Sequence, residues 1–261
     1  MVGSAITDIL GMLQRLMIII IVALTLLQVV PGFGSQFSFL IASLCLVGFA
    51  FLNLIVCQYQ RENEYIGVWR IYALFLFLAM VFGSIGDFAL PGLFFFPTNN
   101  ALINGILYFG LGHVLYLLAM RNRAPFLFHT NEKRTLLLRN LAIWMLSITF
   151  AVTLFMLTVY NPADQVMSIG ALGYAILLIT AVAFSITFWF SEFSPLFKLS
   201  IAFGFVFFFL SDWVIAIRSF RDASFLSGTA FVGVTYLIGQ LLIQATTFIA
   251  ASLVKQRSEP S

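Results

Sequence analysis

The chain has 261 residues, of which 62% are hydrophobic and 9% charged, with a net charge of +3. A soluble domain carries about 25% charged residues, so this composition excludes a water-facing globular fold and leaves an all-α polytopic membrane protein. The basic residues are dispersed across loops and give no nucleic-acid-binding signal.

The first stretch, MVGSAITDILGMLQRLMIIIIVALTLLQVVPGFGSQ, holds one arginine and a short apolar region. It reads as the first span, 13–30, rather than as a cleaved leader. No charge appears from Leu16 to Gln60, and Pro31, Gly32 and Gly34 break this run into a hairpin, placing the second span at 37–58. The two cysteines, Cys45 and Cys57, both fall in that second span. Twelve residues of helix separate them by about 18 Å, too far for a mutual disulfide. A spanning helix needs about 20 mostly apolar residues. By that rule further spans lie at 70–95, 101–120, 138–160, 166–190, 199–220 and 227–254. The sizeable loop RNRAPFLFHTNEKRTLLLR divides the fourth from the fifth, and a polar tail, KQRSEPS, follows the eighth. The whole of 1–261 reads as a single transmembrane domain, a bundle of eight helices. The 31 phenylalanines suit lipid-facing and inter-helix packing.

Short matches are open to two readings, an internal repeat that would divide the bundle into two parallel four-helix halves, or chance similarity. Span three holds IGDF and span seven LSDW; span four holds GHVLY and span eight YLIGQLL. Asp87 precedes His113 by 26 residues, and Asp212 precedes Gln240 by 28.

Eight spans put both termini on one side. Arg15, Arg61, Arg70, Arg121, Arg123, Lys133, Arg134, Arg139, Lys198, Lys255 and Arg257 fall on that side, and only Arg218 and Arg221 opposite. Eleven against two is a strong positive-inside bias. Both termini are therefore expected to be cytoplasmic, in the plasma membrane of a prokaryote or an internal membrane.

Asp87 and Asp212 are the acids well inside spans. Each costs about 2.5–3.5 kcal/mol at a helix centre, and ionisable residues in that position usually face the bundle interior and mark a functional site. The bland alternative is that each bonds a neighbouring helix or pairs with Arg218. Both lie on spans running outward from the cytoplasm, 17 residues past Arg70 and 14 past Lys198, or about 25 and 21 Å from the inner face. Equal depth suggests that they face each other across one cavity enclosed by spans three, four, six, seven and eight. Tyr174, Tyr236, Gln240 and Ser211 belong to the same level, with His113 and Tyr116 deeper. Tyr236 and Gln240 are four apart and share a helical face, as do His113 and Tyr116, three apart. Ser211, adjacent to Asp212, is expected at the cavity edge or bonded within its helix. Little polarity is expected below His113, which suits an enclosed site for an amphiphile better than a solute path. Asn53 and Asn104 have no assignment from sequence.

Several classes drop out. The lysines, Lys133, Lys198 and Lys255, lie at span ends, so none is placed for a retinal Schiff base. The two histidines, His113 and the loop residue His129, cannot fill a three-histidine membrane zinc site, and no metal or other cofactor is expected. No nucleotide-binding loop, GxSxG elbow or HExxH is present.

The segments GSIGDFAL, FGLGHVLYLLA, GALGYAILL, FGFVFFFLSDWVIAIRSF and YLIGQLL stand in an order that resembles the lysoplasmalogenase, or YhhN-like, family. The resemblance covers about Ala73 to Ile243. Many members carry Lys-Pro near the second span; here that region reads FLNLIVCQYQRENE, which leaves the head-group preference open. The resemblance implies hydrolysis of the vinyl ether of a lysoplasmalogen, a 1-alkenyl lysophospholipid, to a fatty aldehyde and a glycerophospho-alcohol. Such chemistry protonates an alkene carbon and passes through an oxocarbenium ion, work for two carboxyl groups in differing environments. Asp87 is taken as the acid and Asp212 as its partner, an order that the sequence itself leaves open. Tyr174, Tyr236 and Gln240 would polarise the ether oxygen or hold water, and His113 would bind glycerol or head group. A transporter, or a non-catalytic lipid-binding protein, would also use a buried Asp pair.

The orientation is directly testable. Asn131→Cys, in a background lacking Cys45 and Cys57, should react with a membrane-impermeant thiol reagent only when the cytoplasmic face is opened. Labelling from the outside alone would reverse the topology.

Overall fold

The computed structural model describes residues 2–30, 35–60, 67–94, 96–123, 133–221 and 229–258. Among them are eight long helices and no strand: α1 Val2–Leu27, α2 Gln36–Tyr59, α3 Arg70–Ala89, α4 Ala101–Arg123, α5 Lys133–Thr158, α6 Gln165–Thr187, α7 Pro195–Arg221 and α8 Thr229–Ser258. Each contains a stretch long and apolar enough to cross a membrane, as the sequence predicts. The break at 31–34 and the loop segment 124–132, with His129 and Asn131, lie outside the described residues.

Helix ends follow local chemistry. Ser35 caps α2 in a reciprocal capping box with Ser38, satisfying donors that the first turn leaves open. The Asp164 side chain accepts from Met167 N–H at the start of α6. The third span stops short of the expected 95, because Pro91 and Gly92, with φ of 77° at Gly92, turn the chain after Ala89. Asp87 therefore sits in the last turn of α3. The Asn104 amide anchors the following connection, donating to Thr98 O at 2.7 Å and accepting from Thr98 N at 3.0 Å.

The faces of α5 show what surrounds the bundle. Leu137, Leu138, Leu141, Met145, Leu146, Phe150 and Leu157 are all exposed. An apolar surface that continuous suits lipid and not water, and with the helical backbone satisfied within each segment the chain is an integral membrane protein. Helices α7 and α8 are the most buried, and α5 and α1 lie outermost.

Helix neighbours repeat between the halves. Helix α3 packs most closely on α4, and α7 on α8; α2 neighbours α3 as α6 neighbours α7; α1 neighbours α2 as α5 neighbours α6. The halves also interlock reciprocally, α4 against α6 and α8 against α2. The closest approaches match in register. A Cβ on Gly112 would stand 3.1 Å from Ala79 O, and one on Gly239 only 2.8 Å from Gly204 O. Ala79 and Gly204 each lie eight residues before an aspartate, and Gly112 and Gly239 each precede the polar residue of the paired helix, His113 or Gln240.

At the opposite end from Asp87, Trp69, Tyr72, Phe188, Phe193 and Phe197 stack edge to face. The Arg123 guanidinium lies 4.2 Å over the Trp69 ring and donates to Val68 O at 2.8 Å. This ties the C-terminus of α4 to the start of α3.

The α7–α8 contact generates a stability prediction. Gly239→Val forces a side chain against the backbone of Gly204 and Phe208. Overpacking of this kind costs about 1–3 kcal/mol, so thermal unfolding in detergent should begin at a clearly lower temperature. Gly48→Ala, whose Cβ would meet nothing within 4 Å, should leave the transition unchanged or raise it.

Candidate functional site

Two carboxyl groups are buried among apolar side chains, and the hydroxyls that meet them come from other helices. Asp87 Oδ2 accepts from Ser43 Oγ on α2 at 2.5 Å and from Tyr236 Oη on α8 at 2.9 Å. The Ser84 hydroxyl stands 3.1 Å from that of Ser43. Asp212 Oδ2 accepts from Tyr174 Oη on α6. Asp212 Oδ1 and the neighbouring Ser211 Oγ are buried without a hydrogen-bond partner. Buried polar groups are almost always paired, and native exceptions often belong to a functional site. Arg218 pairs with neither aspartate, so the ion-pair alternative does not describe these acids.

The two aspartates do not open onto one cavity, contrary to the expectation from their depth. Asp87, Tyr236 and Ser211 line a cavity of about 620 Å³. Asp212 and Tyr174 line a smaller, apolar one of about 70 Å³ with Phe155, Ala171, Leu178 and Trp213. Leu90, Leu102, Phe109 and Ile215 belong to the walls of both. The Phe109 ring has this position because Gly86 has no side chain: a Cβ there would stand 3.0 Å from the ring. Height along a helix says nothing about which bulky side chain stands between. The larger cavity also takes Gln28, just after α1, and Phe39 of α2, a region that the sequence did not assign to the site.

The remaining expected residues lie behind the cavities. His113 is fully buried; its Nδ1 is 2.8 Å from Phe109 O, its Nε2 has no partner, and its ring meets Tyr174 edge-on at 5.6 Å. Tyr116 Oη donates to Gln240 Oε1 at 2.5 Å and accepts from Gln244 Nε2 at 3.1 Å. None of His113, Tyr116 and Gln240 is among the residues lining either cavity. Gly83 leaves the space in which Tyr236 Oη and Gln240 Nε2 come together, at 3.4 and 3.9 Å from the place a Cβ would take.

Polarity does not end at His113, and this corrects the sequence expectation. Gln244 Nε2 also donates to Leu76 O at 3.2 Å, Asn53 Nδ2 donates to Gln244 O at 2.9 Å, and Gln14 Nε2 donates to Asn53 Oδ1 at 2.7 Å. Tyr72 Oη and Thr246 Oγ1 are 2.8 Å apart. These groups are packed against one another. They are interhelical ties of the kind that membrane bundles use. Sequence reasoning missed Ser43, Phe109 and Gln244. A serine in an apolar span carries no local signal of its partner; Gln244, one turn beyond Gln240 on the same face, carried a readable one.

Residues 37–247 match the YhhN family. The match spans most of the chain, which therefore belongs to that family. No curated protein and no solved structure matches it.

The tie between α4, α3 and α8 can be measured. Gln244→Leu removes a donor from Tyr116 and a tie to the Leu76 carbonyl, and Tyr174→Phe strips Asp212 of its hydroxyl donor. Leaving a buried group unsatisfied costs about 1–3 kcal/mol, so each variant should unfold at lower temperature in detergent. An unchanged transition for both would show that these bonds do not hold the bundle.

Proposed function

We propose that this YhhN-family chain is an integral-membrane hydrolase that cleaves the vinyl ether bond of lysoplasmalogens, with both termini cytoplasmic. The observation that carries the reading is the pair of buried carboxyls, each oriented by a hydroxyl from another helix, one of them, Asp87, beside a cavity large enough for a lipid's glycerol region. Clefts that bind small molecules measure about 300–1,000 Å³, and the Asp87 cavity falls within that range.

In the proposed reaction the Asp87 carboxyl gives its proton to the alkene carbon next to the one bearing oxygen. The electron pair of the double bond forms the new C–H bond, and the oxygen-bearing carbon becomes an oxocarbenium ion. Asp87 is assigned this step because it faces the cavity that can admit the lipid. Water then adds to the cationic carbon and returns a proton to a carboxylate. The resulting hemiacetal collapses to a fatty aldehyde and the glycerophospho-alcohol. One water is consumed per turnover, and no oxidant or reductant enters.

Asp212 stabilises the cation electrostatically from behind the shared wall, an effect that reaches several ångströms where little water screens it. Aligned donors hold each carboxyl in one orientation before the substrate arrives, and that preorganisation is where electrostatic catalysis gains most. Ser211, on the same turn and lining the large cavity, is placed to hold the attacking water. The groups below, from Gln240 to Gln14, are tied to neighbouring helices by hydrogen bonds, which favours a hydrolase over a carrier.

Asp87→Asn and Asp212→Asn keep side-chain shape but supply neither a proton nor a negative charge. Each should lower aldehyde release from a 1-alkenyl lysophospholipid by at least about a hundredfold, within the range that general acid–base groups supply, while the protein stays folded in detergent. The saturated-ether analogue should give no aldehyde with any variant. Near-full activity in either asparagine variant would sink the two-acid mechanism.

A further inference from the structure

The larger cavity has two chemically different ends. Its deeper wall is Asp87, Tyr236, Phe109, Leu102 and Ile215. Its outer rim carries Gln28, Ser35, Gln36, Arg218 and Ser219. These rim residues come from the turn after α1, the start of α2 and the last turn of α7, so the cavity opens at the end of the bundle opposite to the chain termini.

Among the described residues Arg218 is the one cation lining it. Among the described residues it has neither an ion pair nor a hydrogen bond. An arginine at the end of a spanning helix has a plain use, to anchor the helix at the interface. Arg221, one turn further on, is exposed, lines no part of the cavity and fits that use. Arg218 is half-buried and turned into the cavity instead. Its planar fork of donors matches the oxygens of a phosphate. Asp87 lines the same cavity, so one ligand can meet both the carboxyl and the guanidinium.

We propose that the outer cavity is a phosphate-ester head-group site, with Arg218 as the residue that selects a phosphate-bearing single-chain lipid over a neutral one. Gln28, Gln36 and Ser219 supply uncharged donors and acceptors around the head group. The chain enters along Phe39, Leu90, Phe109 and Val232. The inference rests on the lipid reading above, and it adds the group that recognises the head and the face from which the lipid enters.

The test measures binding with probes that cannot be cleaved. The purified full-length protein in detergent is titrated with a 1-alkyl lysophosphatidylcholine, with the 1-alkylglycerol of the same chain, and with glycerophosphocholine, which has no chain. The wild-type protein should bind the phosphate-bearing lipid most tightly and glycerophosphocholine most weakly. Arg218→Gln should weaken the phosphate-bearing lipid roughly ten- to a hundredfold, the range for losing a hydrogen bond to a charged group, and leave the alkylglycerol unchanged. Arg218→Lys, which keeps the charge and loses the fork, should fall between. Arg221→Gln should bind all three as the wild type does.

Equal affinity of the wild type for the two ether lipids would overturn the proposal, as would an equal loss in Arg221→Gln or no loss in Arg218→Gln. Tight binding of glycerophosphocholine alone would overturn the lipid as the source of the phosphate. Because no bond is broken in these titrations, they stand apart from the aldehyde assay. A chain that binds as described and releases no aldehyde would refute the hydrolase reading and leave the head-group site in place.

Discussion

A carboxyl group buried between helices needs donors, and the side chains best placed to give them belong to other helices. This requirement organises the protein. Asp87 draws a serine from α2 and a tyrosine from α8 onto one oxygen, which fixes three helices relative to one another. Asp212 draws a tyrosine from α6 onto α7. The helices can come this close only because small residues stand where they meet, Gly83 beneath Tyr236 and Gly204 against Gly239 among them. Removing hydrophobic drive from helix association, as a lipid surround does, leaves packing and interhelical hydrogen bonds to hold the bundle. The polar residues that cost most to insert are thus also the ones that define its geometry.

The two halves solve the same problem with different residues, and the difference creates the site. Each half presents an aspartate on its third helix and a hydroxyl donor on its second, Ser43 for Asp87 and Tyr174 for Asp212. On the fourth helix of each half, three residues before Gly112 and Gly239, stand Phe109 and Tyr236. Tyr236 reaches across to Asp87 of the other half and gives it a second donor. Phe109 has no donor to give; it forms part of the wall between the cavities and lies beside Asp212. A strictly symmetric bundle would hold two equal acids. This one holds an acid beside a large outward-opening cavity and another behind a hydrophobic partition, and unequal environments are what divide roles between paired carboxyls.

Below the aspartates, the buried amides of Gln240, Gln244, Asn53 and Gln14 serve cohesion. Their hydrogen bonds run to one another, to Tyr116 and to helix carbonyls. Their presence is a reminder that polarity inside a bundle does not by itself trace a route for a solute. What distinguishes the region around Asp87 is polarity that faces open volume.

The sequence by itself determined the eight helices, their order and the two acids buried within them, because each of these is written locally. A run of about 20 apolar residues spans whatever its neighbours are, and an aspartate inside such a run is conspicuous without any partner. The helical spacing of Tyr236 and Gln240 was likewise readable, since a shared face follows from a four-residue interval. The partners were not. Ser43 is 44 residues from Asp87 and Tyr236 is 149 away, and nothing in the spacing of residues on different helices states which faces turn toward each other. The same is true of Phe109, an unremarkable member of a phenylalanine-rich chain until its ring stands over Gly86 and parts one cavity from the other. Only the tertiary structure decided that His113, Tyr116 and Gln240 lie behind the cavities and Arg218 at the mouth of one, because rotation about each helix axis is set by packing against neighbours, and that is a property of the whole bundle.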